Sequence, residues 1–318
     1  MEVPQGQKKL RIDKYLASHV ENSSRTKIRT AIDEGCVLVN SKAVKSNYLV
    51  HPNDKIDITL PNVEEKKDIE PENIPLEILF EDGYILVVNK PAGMVTHPAY
   101  KNYSGTLVNA LLYYMKRKEE ALSSLNGFER AGIVHRLDKL TSGILVVAKD
   151  EETHRKLSNL FTKHDIEREY EALVWGMFKK KEGVIDKPLA RSPKDRKKVA
   201  VVETGKHAVT EYKVLNEFDF LSHVRLKLHT GRTHQIRVHL HSIGHPVFGD
   251  ADYDGRKPHG LSNLTTKIKQ QITNLLELMP RQALHAKVLG FVHPRTGEKM
   301  KFESELPEDM NEVMKKLI

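Results

Sequence analysis

Cysteine is nearly absent from this chain. Cys36 is the single one in 318 residues. One thiol excludes an internal disulfide and any cluster of thiolate metal ligands, and it fits a reducing compartment. No apolar run approaches the length of a membrane span. Met1 to Leu10 lacks the apolar stretch of a secretory leader. The sequence is therefore read as that of a soluble cytoplasmic protein without a membrane partner. Neither a P-loop nor a dinucleotide-binding fingerprint occurs. Internal repeats and low-complexity tracts are missing as well.

What is present is length, charge and enough apolar material for a core. The usual length prior gives about two domains. Apolar residues make up 39% and charged residues 30%. Lys and Arg number 51 against 43 Asp and Glu, a net charge of +8, and the pI is near 9.2. That balance favours a polyanionic partner, nucleic acid before membrane.

Residues 8–60 read as one compact α+β unit. Ile12, Tyr15, Leu16 and His19 have helical spacing. Ser24 is a good N-cap for a second helix over 25–34, with Ile28, Ala31 and Ile32 on one face and Gly35 as its stop. Arg25, Lys27 and Arg29 project from that helix. A strand at Cys36–Val39, a turn at Asn40-Ser41, a strand near Ala43-Val44 and a third through Ile56, Ile58 and Leu60 complete the unit. A helix, a basic helix and a small hairpin in this order resemble the S-four-type RNA-binding domain. That family usually has Asn-Gly at the turn. Ser41 replaces the glycine here, which makes a tight two-residue turn less comfortable. Residues 61–75 contain Glu-Glu-Lys-Lys and three prolines and read as a charged linker.

Residues 76–318 read as one larger α+β domain. Strands are expected at Tyr84–Asn89, Gly143–Ala148, Tyr170–Trp175, Val209–Leu215, His223–His229 and around Ala283–Ala286. Helices are expected at Thr106–Met115, Glu152–Lys163, Thr233–Ser242 and Asp309–Leu317. Strands outnumber strand-helix-strand units, so the sheet should be mostly antiparallel. The basic loop Arg191–Lys198 and the polar stretch Asp254–Met279 look inserted.

The most informative stretch is His135-Arg136-Leu137-Asp138-Lys139-Leu140-Thr141-Ser142-Gly143. It sets an aspartate between two cations on a loop that enters an apolar strand. A carboxylate there is held rigidly and shielded on one side, and cations favour its charged form. Taken alone, Asp138 reads more readily as a turn-capping residue beside ordinary surface charges. Three further stretches join it. Arg168–Gly176 places Tyr170 at the start of a strand. His229–His239 packs cations and imidazoles around a strand-to-helix turn. Ala283-Leu284-His285-Ala286 sits on a later strand.

With these stretches in view, the chain resembles the RluA family of pseudouridine synthases, most closely its RluD-like branch with an N-terminal S-four-type domain. Asn89-Lys90-Pro91-Ala92-Gly93 is similar to the first family motif and His135–Gly143 to the second. Arg168–Gly176 and Gly231–His239 are similar to the motifs that hold the family's tyrosine and arginine. Leu140 departs from relatives, which often carry an acidic residue there. The resemblance implies a pseudouridine synthase fold, a mostly antiparallel mixed sheet, preceded by the small RNA-binding domain. It implies an isomerase that breaks the uracil–ribose C–N bond, turns the base and joins its C5 to C1′. Nothing is oxidised and no phosphate is transferred, so neither cofactor nor metal is expected. Asp138 takes the essential role, as nucleophile or as proton acceptor. Arg237 is expected to pair with Asp138 and orient it. Tyr170 stacks on the uracil, and Arg136 fills the space left by a flipped-out base. The implied substrate is large-subunit (23S) ribosomal RNA or a pre-ribosomal particle, the alternative being tRNA or another RNA. The enzyme is expected to be a monomer with no obligate protein partner.

Three rival readings compete with this one. His234, His239, His241 and His245 could serve a metal hydrolase. However, His239 leaves the helical face that the others share, and no His-Glu-x-x-His signature occurs. A glycoside hydrolase needs two cooperating carboxylates, and no partner for Asp138 is evident in sequence. A purely RNA-binding surface would avoid an aspartate among its cations.

Overall fold

The computed structural model describes residues 1–20, 23, 25–59, 69–98, 102–127, 130–259, 261 and 265–318, with backbone alone at 25–27. The chain divides into two compact units, Met1–Asp68 and Ile69–Ile318.

The first unit contains helices α1 (Ile12–His19) and α2 (Arg25–Asp33) and strands β1 (Val37–Val39), β2 (Lys42–Ala43) and β3 (Ile56–Ile58). The strands form an antiparallel sheet in the order β2-β1-β3. Ile12, Tyr15 and Leu16 meet Ile28, Ala31 and Ile32 over Val37, Val39 and Ile56, so both helical stripes are spent on one core. Val3 joins that core, and Glu2 bridges to Lys55, so the packed unit begins before residue 8. Asn40 and Ser41 both have positive φ, 49° and 63°, and Val39 pairs with Lys42. The turn is thus the tight two-residue kind, with serine where glycine would be unstrained. Asn40 anchors it. Its Nδ2 donates to Asp54 Oδ1 at 2.9 Å, and its Oδ1 accepts from Lys55 N at 3.0 Å. The expected cap Ser24 and strand residue Leu60 lie outside the described residues.

The second unit runs through β4 (Glu77–Glu81), β5 (Ile85–Lys90), α3 (Leu107–Arg117), β6 (Ser142–Ala148), α4 (Glu151–Lys163) and β7 (Glu167–Trp175). It continues through β8 (Glu182–Asp186), β9 (Leu189–Arg191), β10 (Val199–Val201), β11 (Val209–Glu217), β12 (Leu221–Leu228) and α5 (Gln235–Ser242). α6 (Thr266–Leu278), β13 (Leu284–Val292), β14 (Lys299–Glu303) and α7 (Glu308–Lys315) close it. The main sheet has the order β4-β5-β6-β13-β7-β12-β11-β8, with β14 also paired to β13. Only β6 and β13 run parallel among these pairs. β9 and β10 form a separate hairpin whose connection is the basic loop.

Two readings of composition are corrected. Residues 69–75 are not free linker. Ile69 and Ile74 pack with Leu76 on the core beneath α3, and Asn109 Nδ2 donates to Glu70 O at 2.8 Å. The polar stretch Asp254–Met279 is not a surface insertion either. It contains α6, capped by Thr265, and buries Ile272 and Leu275 beside Trp175 and Phe248. Lys and Gln on its outer face dilute an apolar stripe that is still helical in period.

β6 is buried at every residue, and its parallel partner fixes its start. Gly143 lies opposite Ala286, with φ at +120°; a Cβ there would stand 2.3 Å from Ala286 O. Only glycine lets the two backbones close. His285, one residue earlier on β13, shares hydrogen bonds with Ser142 Oγ at 2.9 Å and Ser304 Oγ at 2.8 Å. Burial first, then Arg281, pushes its pKa down to about 4. His285 is therefore neutral in the folded protein while the unfolded imidazole titrates near 6.5. The unfolded state binds the extra proton between those values. The stability His285 contributes is complete above about pH 6.5 and falls by about 1.4 kcal/mol per pH unit as the pH drops towards 4. Urea unfolding of wild type and His285→Gln across that range should show a shallower acid slope in the variant. Parallel slopes would refute a neutral His285.

Candidate active site

The loop carrying Asp138 is held by its backbone. Thr96 Oγ1 donates to Leu137 O at 3.0 Å, Gly93 N to Lys139 O at 2.9 Å and Arg281 Nη1 to Leu140 O at 3.1 Å. Thr141 N closes the turn onto Asp138 O at 3.0 Å. Lys90 is fully buried beneath it, with Nζ donating to Pro91 O, Met94 O and Lys139 O at 2.8, 2.9 and 3.3 Å. Burial, then the charge of Arg281, lowers its pKa to about 7. Arg281 is tied to Asp309 through Nε at 2.6 Å and Nη2 at 2.7 Å. Leu140 is an exposed side chain, and its structural contact is its carbonyl. The position that departs from the family pattern therefore holds the loop through an atom every residue has.

Asp138 is left projecting from this framework with 19% of its side chain exposed. Arg237 on α5 donates Nη1 to Asp138 Oδ2 at 3.2 Å. The same guanidinium donates Nε to Asp250 Oδ2 at 2.6 Å and Nη2 to Asp250 Oδ1 at 2.8 Å and Asp252 Oδ2 at 2.7 Å. It lies 4.9 Å from the Tyr253 ring centroid. Burial opposes its charge, but the Asp250 carboxylate outweighs that and holds its pKa above the ordinary arginine value. His234 caps α5 in a left-handed conformation, φ 54°. Its Nε2 is 3.8 Å from Asp138 Oδ2, and its Nδ1 pairs with Tyr253 Oη at 2.8 Å. Burial lowers its pKa.

Tyr170 on β7 faces the same cleft, half-buried. Burial raises its pKa; Arg168 opposes this and Asp138 adds to it, so the phenol stays neutral at pH 7. Arg136 and Arg232 stand on the rim, and Leu228, Ile236 and Leu284 supply apolar wall. The cleft volume is about 70 Å³. A larger groove of about 910 Å³ beside Phe218 and Leu317 holds none of the residues the sequence singles out. On α2, Arg29 is exposed, while the side chains of Arg25 and Lys27 lie outside the described residues.

The four histidines take separate partners. His239 bonds Thr210 Oγ1 and Lys187 O, His241 bonds Asp254, and His245 bonds Trp175 O. Sequence reasoning missed Asp250 and Asp252. Second carboxylates do stand near Asp138, contrary to the sequence reading, but both are committed to Arg237. Their segment carries no charge pattern that announces a partner on α5. Lys90 was legible only as part of a turn motif.

The second unit presents a mixed sheet with a carboxylate and a tyrosine at its opening, and the chain also carries a separate helix-hairpin unit. The RNA pseudouridylate synthase family model matches residues 84–242, half the chain, and the S4 domain model matches residues 10–56. An uncharacterized RNA pseudouridine synthase of Chlorobaculum parvum is 44% identical over 100% of this chain and 97% of its own. The ribosomal large subunit pseudouridine synthase D of Zymomonas mobilis is 45% identical over 97% of this chain and 94% of its own. The solved human RNA pseudouridylate synthase domain containing 4 aligns with TM-score 0.57 and 25% identity, covering 76% of this chain and 92% of that one. The chain belongs to the RNA pseudouridine synthase family, in its RluD-like branch with an N-terminal S4 domain. It is an isomerase, and its fold is the mostly antiparallel one that the sequence pattern predicts.

The shared guanidinium makes a graded prediction. Asp250 is fully buried and bidentate, whereas the Asp252 side chain is 55% exposed. Asp250→Ala removes the buried, bidentate partner of Arg237 and should lower unfolding free energy by about 3 kcal/mol, while Asp252→Ala should cost under about 1 kcal/mol. Urea unfolding of both variants measures the contrast, and equal losses would contradict it.

Proposed function

We propose that this pseudouridine synthase acts on large-subunit ribosomal RNA by cofactor-free chemistry centred on Asp138. The carrying observation is that Asp138, Tyr170 and Arg237 meet in one cleft although Asp138 and Arg237 are 99 positions apart. Relatives named for the ribosomal large subunit, 41–45% identical over nearly the whole chain, support the RNA target. Asp138 is the carboxylate that acts on the target nucleotide. Arg237 orients it without capturing it, since the described residues hold only Oδ2. The neutral phenol of Tyr170 offers a flat apolar face to a uracil. The reaction is an isomerisation. The N1–C1′ bond breaks, the C5–C1′ bond forms, the C5 proton leaves and N1 gains a proton. No electrons enter or leave, which is why the reading requires no redox group. The first unit adds RNA affinity through α2, where Arg29 is exposed.

Asp138→Asn keeps the shape of the side chain and removes its charge. It should lower turnover by more than about a thousandfold while RNA binding persists. Release of tritium from RNA labelled at uracil C5 is the assay. Turnover near wild type would sink the assignment of Asp138.

Arg136 is exposed at the cleft rim and is proposed to hold the flipped-out state. Flipping costs a few kcal/mol in a stacked helix and less in single strands. Arg136→Ala should therefore slow single-turnover rates more on a folded stem-loop than on an unstructured oligonucleotide with the same target. Equal impairment on both RNAs would remove the flipping role.

A further inference from the structure

Arg168 is a buried cation for which the catalytic reading has no use. Only 8% of it is exposed, and among the described residues its Nε and Nη2 have no hydrogen-bond partner. A buried guanidinium with open donors is costly, and such groups normally find an anion. Its surroundings are cationic. His164 lies in the field of the two arginines Arg168 and Arg232. His229 is answered by Glu211 at 2.8 Å, and Arg232 Nε by His207 O at 3.1 Å. Among the described residues, no anion answers Arg168. The Phe161 ring centroid lies 5.8 Å from Arg168 Cζ.

The position is specific. Arg168 and Tyr170 are two residues apart on β7, so their side chains share one face about 7 Å apart. Gly231 covers the guanidinium from the other side. A Cβ built on Gly231 would stand 2.8 Å from Arg168 Nη1. Nε and Nη2 are sealed from solvent, so an anion meets the guanidinium at Nη1, beside the exposed Gly231 and next to Arg232 on the cleft rim. A charge-assisted bond from Nη1 to one phosphate oxygen is the contact this edge can make.

We propose that Arg168, with Arg232, binds a backbone phosphate of the RNA beside the target uridine. The proposal rests on the reading that Tyr170 faces the uracil. The probe is an unmodified in vitro transcript of large-subunit ribosomal RNA, bound by full-length protein over a series of KCl concentrations. Arg168→Met should weaken binding about tenfold at low salt. It should also reduce the slope of log affinity against log salt by about 0.7–0.9, one phosphate contact. Arg168→Lys should retain most of the slope. Without RNA, the thermal midpoint of Arg168→Met should be unchanged or raised, because an unmet buried charge is replaced by apolar chain. An unchanged slope overturns the proposal, as does a lowered midpoint with affinity intact, which assigns Arg168 to packing. Should Arg168→Met fail to fold, Gly231→Ala decides. It displaces the guanidinium without removing charge, and full affinity in that variant also overturns the proposal. Tritium release by wild type on the same transcript tests the activity separately. A protein that binds without isomerising defeats the catalytic reading, while the slopes still decide Arg168.

Discussion

The guanidinium of Arg237 is the interaction on which the site depends. It is a single buried cation divided among three carboxylates from two segments. Asp250 takes the larger share, with two bonds and no solvent. Asp252 takes one bond near the surface. Asp138 receives the remaining Nη1 at the longest distance of the set, 3.2 Å. This division sets the chemistry. Had Asp138 taken both of its oxygens into a bidentate pair, its lone pairs would be spent on the arginine. Because Asp250 saturates the other side of the fork, Arg237 fixes one oxygen of Asp138 and leaves the other without a bond from the described residues. The cost of burying Arg237 is met by Asp250, on the side of the guanidinium away from Asp138.

The opposite face of the same design is the loop. Leu137, Lys139 and Leu140 are gripped through their carbonyls by Thr96, Gly93, Lys90 and Arg281. Backbone grips are indifferent to side-chain identity, so the loop is rigid whatever stands at 139 or 140. Side chains are then free for other work: Leu137 goes into the core, Arg136 to the rim and Asp138 to the cleft. β6 continues the same restraint, since its approach to β13 at Gly143 leaves no freedom in the strand that follows the aspartate. The loop that carries Asp138 thus leads into the most buried strand of the unit, and its positional precision comes from core packing rather than from the cleft itself.

Legibility from sequence follows the range of the interactions. α1, α2, β6, β7 and α5 were readable because their apolar period or uninterrupted apolar run is local. β4, β8, β9, β10 and β14 were not, because they are three to five residues long and mostly half-exposed, and their strand character comes from pairing partners. α6 was hidden by its Lys and Gln content. In the site, Asp138, Tyr170 and Arg237 were placed by linear motifs. Asp250 was not, because nothing in Val247-Phe248-Gly249-Asp250 indicates that its carboxylate crosses to α5. Arg168 was visible as a letter, but its lack of a partner is a property of the folded surroundings alone.

Arg168 and Arg237 show how the same side chain acquires different physical states in one sheet opening. Arg237 is over-supplied with negative charge, so it adds no net attraction for RNA at the cleft floor. Asp138 and Asp250 instead make that floor repel phosphate. The attractive charge lies outward, on Arg136, Arg232 and Arg168. Under the proposed function, this separation orients an RNA chain before any base contact is made: phosphates are drawn to the rim and kept from the floor, and the nucleoside is the group directed at Asp138. A site with its cations spread evenly would bind RNA as strongly but would hold phosphate against the carboxylate. The aspartate among cations, which looks contradictory in the sequence of a nucleic-acid-binding protein, is resolved by depth: the negative charge lies below the positive.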